Sequence, residues 1–279
     1  MKLATYQAIV QELHSLRKRD CLAELQSCFP DVSEITLRSI IACERQRKTK
    51  KQFHHFMSAP VADEHYNYYV KCAESGEKPG FLLRYADEQG VTPGLMARLI
   101  IEKKHATDAG PPSKSAVSQM LRDSASIKDG TLATEVFMCV TSDDSYGPLA
   151  DAKKCSVGLE YEIQLKTELA ALGLTFADET VLRERGYDKT PDVKLEVPVI
   201  VDGAIVTWVE SKAQFGDPES HQTYARDQYR SYWNRFGCGL VIYWFGFVDE
   251  ISTGCDEGFL IRDHMPTNIA HMHEVLNFS

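Results

Sequence analysis

Residues 190–212 read TPDVKLEVPVIVDGAIVTWVESK, and no other stretch constrains the fold as much. Two runs rich in Val and Ile flank an Asp-Gly, the pattern of two strands joined by a tight turn. Pro191-Asp192 stands at the entrance of the first strand and Glu210-Ser211-Lys212 at the exit of the second. Side chains alternate faces along a strand, so Glu210 and Lys212 point the same way. A carboxylate and an ammonium on one face at the end of an apolar strand suit a metal site.

The pairing register decides whether Asp192 joins them. A two-residue turn at Asp202-Gly203 pairs Val201 with Ala204 and sets Asp192 opposite Ala213, on the wrong side from Glu210. A three-residue loop, Asp202-Gly203-Ala204, pairs Val201 with Ile205 and puts Asp192, Lys194 and Glu196 on the face of Glu210 and Lys212. The other face is then Val193, Leu195, Val197, Val199 and Val201 against Ile205, Thr207, Val209 and Ser211. The expectation is therefore the three-residue loop or an equivalent bulge. Asp192 can also reach the site from the mouth of the strand without either.

Around the hairpin, residues 131–279 read as mixed helix and strand. A helix is expected over 157–173, strands over 193–201 and 205–212, a helix over 220–236 and a buried strand over 239–248. Residues 1–130 read as helices throughout. Two stretches there, 25–48 and 82–105, each show a short helix, a turn and a helix with a basic end, a helix-turn-helix outline with Ser33 and Thr92 as N-caps and Pro93 at the first helical position. A further helix follows GPP at 110–112, capped by Ser113 or Ser115, and the linker falls near 124–131. Two domains are expected, 1–130 and 131–279.

Charge divides the same way. Residues 1–130 carry 19 Lys and Arg against 16 Asp and Glu, and residues 131–279 carry 12 against 24. An acidic second half suits polyanions only if some carboxylates bind divalent cations and basic residues gather locally. ERQRKTKKQFHH (44–55) is one such gathering, although a solvated helix end reads the same. Eight scattered cysteines without a CxxC pair suit reduced thiols. Without a long apolar run or an export signal, a soluble intracellular protein is expected. His264, His271 and His273 near Cys255 match no zinc finger or ribbon spacing.

The order of helix, hairpin with acidic entrance and Glu-x-Lys exit, helix and strand resembles the PD-(D/E)xK nuclease superfamily. The resemblance implies a restriction-endonuclease-like α/β core behind an all-α domain with helix-turn-helix-like modules. It implies Mg²⁺ or Mn²⁺ held by Asp192, Glu210 and the Ser211 carbonyl, with Lys212 orienting water and stabilising developing charge. Gly158, Glu162 and Gly173 repeat a spacing found in archaeal resolvases, which makes Glu162 the helix glutamate of the site. Glu160, two residues away on that helix, is the runner-up. Gln228 and Tyr232 are similar to the Gln-x-x-x-Tyr accessory motif of RecB-like exonucleases. Ala225, Tyr229, Trp233 and Phe236 make the core stripe of that helix, leaving Arg226 and Arg230 for phosphate contact. Asp188 and Lys189 border the site, and Lys189 is a further phosphate contact.

GYDKTPD, WVESKAQFGD, DQYRSYWNRFGCGLVIYWFGF, PPSKSAVSQMLRD and YGPL resemble the codanin-interacting nuclease family over nearly the whole chain. That resemblance implies codanin as a partner, a nucleic acid substrate with DNA favoured over RNA, and a distribution in nucleus and cytoplasm. In animals the family is linked to congenital dyserythropoietic anaemia. A non-catalytic codanin-binding adaptor that keeps a nuclease fold is the alternative. A regulator that binds DNA through the helix-turn-helix units is a third.

Overall fold

A computed structural model describes the chain except residues 17–20, 107–109, 111, 253–257 and 273–279. Contacts divide it into two compact units, neither of them one continuous stretch. One comprises Met1–Glu12, Leu25–Ser39 and Ser156–Ser279, the other Leu13–Glu24 and Ile40–Cys155.

The second unit is helical among its described residues. After α1 (Leu3–Ser15) and α2 (Leu22–Cys28) in the chain, it holds most of α3 (Glu34–Phe56), then α4 (Ala59–Glu74), α5 (Phe81–Gln89), α6 (Pro93–Lys104), α7 (Lys114–Arg122) and α8 (Gly130–Thr141). Leu82, Met96, Ile100, Val117, Leu132 and Val136 form its core, all essentially excluded from water. The stretch 124–131, expected as a linker, is folded into this core. Ser124–Ser126 make a 3-10 turn, Ile127 is buried, and Asp129 caps α8 by accepting from Leu132 N at 3.0 Å. Apolar Ile127 gives the segment a reason to pack that its Ser and Asp content conceals. The contacts therefore draw the division elsewhere than 130/131.

Asp129 also pairs with Lys104 Nζ at 2.5 Å, and the ammonium and the cap N–H together lower its pKa. Its stabilising contribution is present above about pH 4 and is lost as pH falls through the depressed folded value. Asp129→Ala is expected to cost about 1 kcal/mol in urea denaturation at pH 7, and less at pH 3. Ser33 and Ser113 cap their helices as expected, accepting from Thr36 N and Ala116 N at 3.2 Å. Thr92 does not. Its hydroxyl makes no bond, and the buried carboxylate of Asp143 instead accepts from Gly94 N at 2.7 Å. A carboxylate is the stronger acceptor for the positive end of a helix, and it arrives from 49 residues away.

The first unit is mixed α/β. α9 (Pro148–Ala171) runs into it and leads to β1 (Phe176–Asp178), α10 (Glu179–Glu184), β2 (Val193–Val201) and β3 (Ala204–Lys212). α11 (Pro218–Tyr224), a π-helical turn Ala225–Tyr229 and α12 (Arg230–Phe236) form one continuous helix, followed by β4 (Gly239–Tyr243), β5 (Phe259–Arg262) and β6 (Ile269–His271). Strand order is β1-β2-β3-β4-β5, with β6 also on β2. The first three strands pair antiparallel and β3-β4-β5 parallel.

Both faces of the sheet are covered, which is why GLVIY in β4 is apolar at every position. Leu240 and Ile242 pack toward Leu165 and Leu169 of α9, whereas Val241 and Tyr243 pack toward Tyr229 and Tyr232. β4 ends at Tyr243 rather than Val248, because the chain turns at Gly246 with φ 85°. The early residues of this unit are tied to the same region: Thr36 Oγ1 donates to Phe245 O at 2.8 Å, and Phe215 N donates to Ser39 Oγ at 2.8 Å.

Candidate active site

The hairpin turn is the two-residue one. Asp202 and Gly203 have φ of 49° and 84°, and Val201 pairs with Ala204. These left-handed values are what an Asp-Gly pair supplies in a hairpin turn. Of the two expected alternatives the three-residue loop is not formed and the bulge is, and the bulge restores the parity. Between the pairs Val199↔Val206 and Lys194↔Trp208, β2 advances five residues while β3 advances two. This odd excess of three switches Asp192 to the face of Glu210. The irregular stretch contains Pro198, which has no N–H for a ladder, and Val197, which is 58% exposed instead of facing the core. On β3 the buried positions are Val206, Trp208, Val209 and Glu210, while Ile205 is exposed, so the expected Ile205–Ser211 face is also corrected.

The bulge brings three side chains together. Asp192 N donates to Glu210 Oε2 at 3.3 Å and Ser211 N donates to Asp192 Oδ2 at 2.7 Å. Lys212 Nζ donates to Glu210 Oε1 at 2.5 Å and to Gln228 Oε1 at 3.2 Å. The same ammonium lies 4.9 Å from the ring centroid of Tyr224 and 5.9 Å from that of Tyr229, within cation–π range. Glu210 is 3% exposed. Burial raises the Asp192 pKa well above the usual range, and the Glu210 charge raises it further against the pull of Lys212. Burial likewise raises Glu210. Burial lowers Lys212, but the Glu210 and Asp192 charges outweigh it and the net shift is upward.

The other expected residues take different places. Glu162 on α9 is partly buried and its carboxylate makes no hydrogen bond among the described residues, yet its charge raises the pKa of Asp192, so it stands near the cluster without joining it. Glu160 is exposed. The Ser211 hydroxyl accepts from Trp244 Nε1 at 2.8 Å, and Trp244 packs on Tyr161 of α9 at 5.3 Å. Tyr232 is buried edge-on against Trp208 at 5.3 Å, its pKa raised by burial and then by Glu210 and Asp192. Trp233, expected in the core stripe, is 44% exposed, and Tyr232 occupies the core instead.

Arg226 is exposed and paired with Asp227 at 2.7 Å, Lys189 Nζ donates to Asp227 O at 2.9 Å, and Arg230 is exposed. Cys255 and His273 lie outside the described residues.

Tyr224, Glu179 and Arg235 belong to the site region without having been singled out in the sequence, and Tyr229 was expected only as a core residue. Glu179 adds its charge to Glu210. Arg235 donates to Asp188 Oδ1 at 2.9 Å and to Lys189 O at 3.0 Å, pinning the loop that leads to Asp192. The i,i+4 spacing of Tyr224 and Gln228 was a usable signal, since it puts both on one side of a helix. Trp208, which supports Tyr232, packs flat on Gly239, where an added Cβ would lie 2.0 Å from its ring. Gly239→Ala is expected to lower stability by roughly 1–3 kcal/mol in thermal or urea unfolding, through displacement of Trp208.

Among the described residues no three acidic, His or Cys side chains already form a cation shell. Asp192 and Glu210 nevertheless fit a hard divalent cation. They are two adjoining carboxylates disfavoured as anions by burial, and among the described residues Asp192 Oδ1 accepts no hydrogen bond. Mg²⁺ is commonly held by one or two carboxylates, with waters and substrate phosphates completing its shell.

The fold and this cluster define a mixed α/β protein with a buried acid–acid–lysine site at the end of its central hairpin. The chain belongs to the codanin-interacting nuclease family. It is 43% identical to the protein named CDAN1-interacting nuclease 1 of Homo sapiens over 268 residues, 95% of each chain. The protein of that name in Bos taurus is 43% identical over 270 residues, 95% of each chain, and that of Gallus gallus 40% identical over 273 residues, 96% of each. The family described as "Protein of unknown function TPD sequence-motif" matches residues 128–265, a span in which Thr190-Pro191-Asp192 reads T-P-D. No solved structure matches the chain. Among the described residues, no helix is long and apolar enough to cross a membrane.

Proposed function

We propose that this protein is a divalent-cation-dependent nuclease of the PD-(D/E)xK type that hydrolyses phosphodiester bonds of nucleic acid. The observation that carries the reading is the hydrogen-bonded cluster of Asp192, Glu210 and Lys212, assembled from β2 and β3. Asp192 and Glu210, with the Ser211 carbonyl, would hold Mg²⁺ or Mn²⁺, and Glu162 adds negative charge nearby. The bound cation supplies charge neutralisation at the scissile phosphate and acidifies water. Lys212 keeps a positive charge in the buried cluster, where an ammonium stabilises developing negative charge and orients the attacking water. Gln228, Tyr224 and Tyr229 keep that ammonium in place.

The names of the relatives support codanin as the protein partner, and action in nucleus and cytoplasm is part of the proposal. The test is cleavage of duplex, single-stranded, flapped and branched DNA and RNA by the full chain, with Mg²⁺, with Mn²⁺ and with EDTA. Cation-dependent cleavage of at least one substrate, lost in Glu210→Gln, is expected. If no substrate is cut while codanin is still bound, the protein is an adaptor instead.

A further inference from the structure

The C-terminal half of α3 carries a run of exposed basic side chains. No Asp or Glu occurs between Glu44 and Asp63, whereas the whole chain carries a net charge of -9. Earlier cations of the helix are engaged: Arg38 with Glu34, Arg47 with Glu44 and Arg45 with Cys21. Lys48, Lys50, Lys51, His54 and His55 are exposed, and among the described residues none has an ion pair.

Their placement is ordered. Phe53 and Phe56 turn one side of the helix into the helical core. At about 100° per residue, Lys51 lies opposite those two rings, Lys48 and His55 lie on one flank, and Lys50 and His54 on the other. From Lys48 to His55 the helix rises about 10 Å. An outward cation with a pair of basic side chains on each flank matches a duplex groove bordered by two phosphate rows. A helix is about 10–12 Å across and the major groove of B-DNA about 12 Å wide. A flat acidic protein surface calls for no such flanking pairs.

We infer that the Lys48–His55 face of α3 is a docking surface for double-stranded nucleic acid, gripping the sugar-phosphate backbone on both sides of a groove. This deepens the proposed nuclease function by giving its substrate class. Its test reads binding alone.

The full chain in EDTA is titrated with labelled DNA duplex, RNA duplex, single-stranded DNA and polyglutamate, from 50 to 200 mM salt. At least one duplex is expected to bind more tightly than single strands and polyglutamate, with strong salt dependence. The triple variant Lys48→Gln, Lys50→Gln, Lys51→Gln should lose about 2–3 from the slope of log K against log salt, at about 0.9 per phosphate neutralised. Its duplex affinity at 100 mM salt should drop at least about tenfold, and Lys51→Glu alone should drop it severalfold. Lys154→Gln, an exposed control outside α3, should change neither. Circular dichroism confirms that the variants fold. An unchanged slope in the triple variant overturns the inference, as does equal or tighter binding of polyglutamate or single strands. Loss of cleavage in the wild type with duplex binding intact removes the nuclease reading and leaves the surface standing.

Discussion

Lys212→Met is expected to lower phosphodiester cleavage by at least about 10³-fold while Mn²⁺ still binds, because in the proposed mechanism Lys212 supplies charge and a proton donor without being a cation ligand. The effect is large because its ammonium is the only cation hydrogen-bonded within the described cluster, held by Glu210 and Gln228 beneath Tyr224. Methionine keeps the length of the chain, so the aromatic surroundings stay filled. Removal also leaves the Asp192 and Glu210 carboxylates buried without their counter-charge, which costs the metal-free protein roughly 3–5 kcal/mol. A divalent cation at a hundred times its dissociation constant should return about 2.7 kcal/mol. Single-turnover cleavage, calorimetric Mn²⁺ titration and thermal melts with and without Mg²⁺ measure the three effects. A variant that cuts as fast as wild type ends the proposed role of Lys212.

Asp192→Asn is expected to move stability the other way. In EDTA, Asp192 has a folded pKa above its unfolded one, from burial first and then from the Glu210 charge. Below about pH 4 both states hold the proton. As pH rises the unfolded chain releases it first, so the stability contributed by this group falls until the folded value is passed. Asparagine removes that decline, keeps an acceptor for Ser211 N and offers a donor to Glu210. Its melting temperature in EDTA at pH 8 should therefore exceed that of wild type, while the cation-induced rise in melting temperature disappears and cleavage drops at least about 10³-fold. A variant that melts lower than wild type at pH 8, with the same pH slope, contradicts the charge-repulsion account.

The strands carrying Asp192, Glu210 and Lys212 were legible because alternation and turn chemistry are local. VKLEVPVIV and AIVTWVESK form strands with bounds within a residue of expectation, and Asp-Gly closes the turn. What misled was the step from turn to register. Pro198 sits inside β2, and its missing N–H was the cue that the ladder breaks there. With that break counted, the two-residue turn and the shared face of Asp192 and Glu210 no longer conflict. β1, β5 and β6, at three or four residues each, are too short for periodicity to reveal. The packing of 124–131 turned on one residue, Ile127, in a polar stretch.

By itself the sequence determined the helical character of the first 130 residues, the hairpin, and the presence of Glu210 and Lys212 on one strand face, since each depends on contacts between near neighbours in the chain. Only the tertiary structure decided that three extra residues in β2 carry Asp192 to Glu210, that Tyr224, Gln228 and Tyr229 close over Lys212, and that Glu162 stays beyond hydrogen-bonding reach. Those outcomes depend on how a sheet buried on both faces fits its covering helices. Side-chain volume and unpaired backbone groups settle that fit over distances along the chain that local pattern does not span.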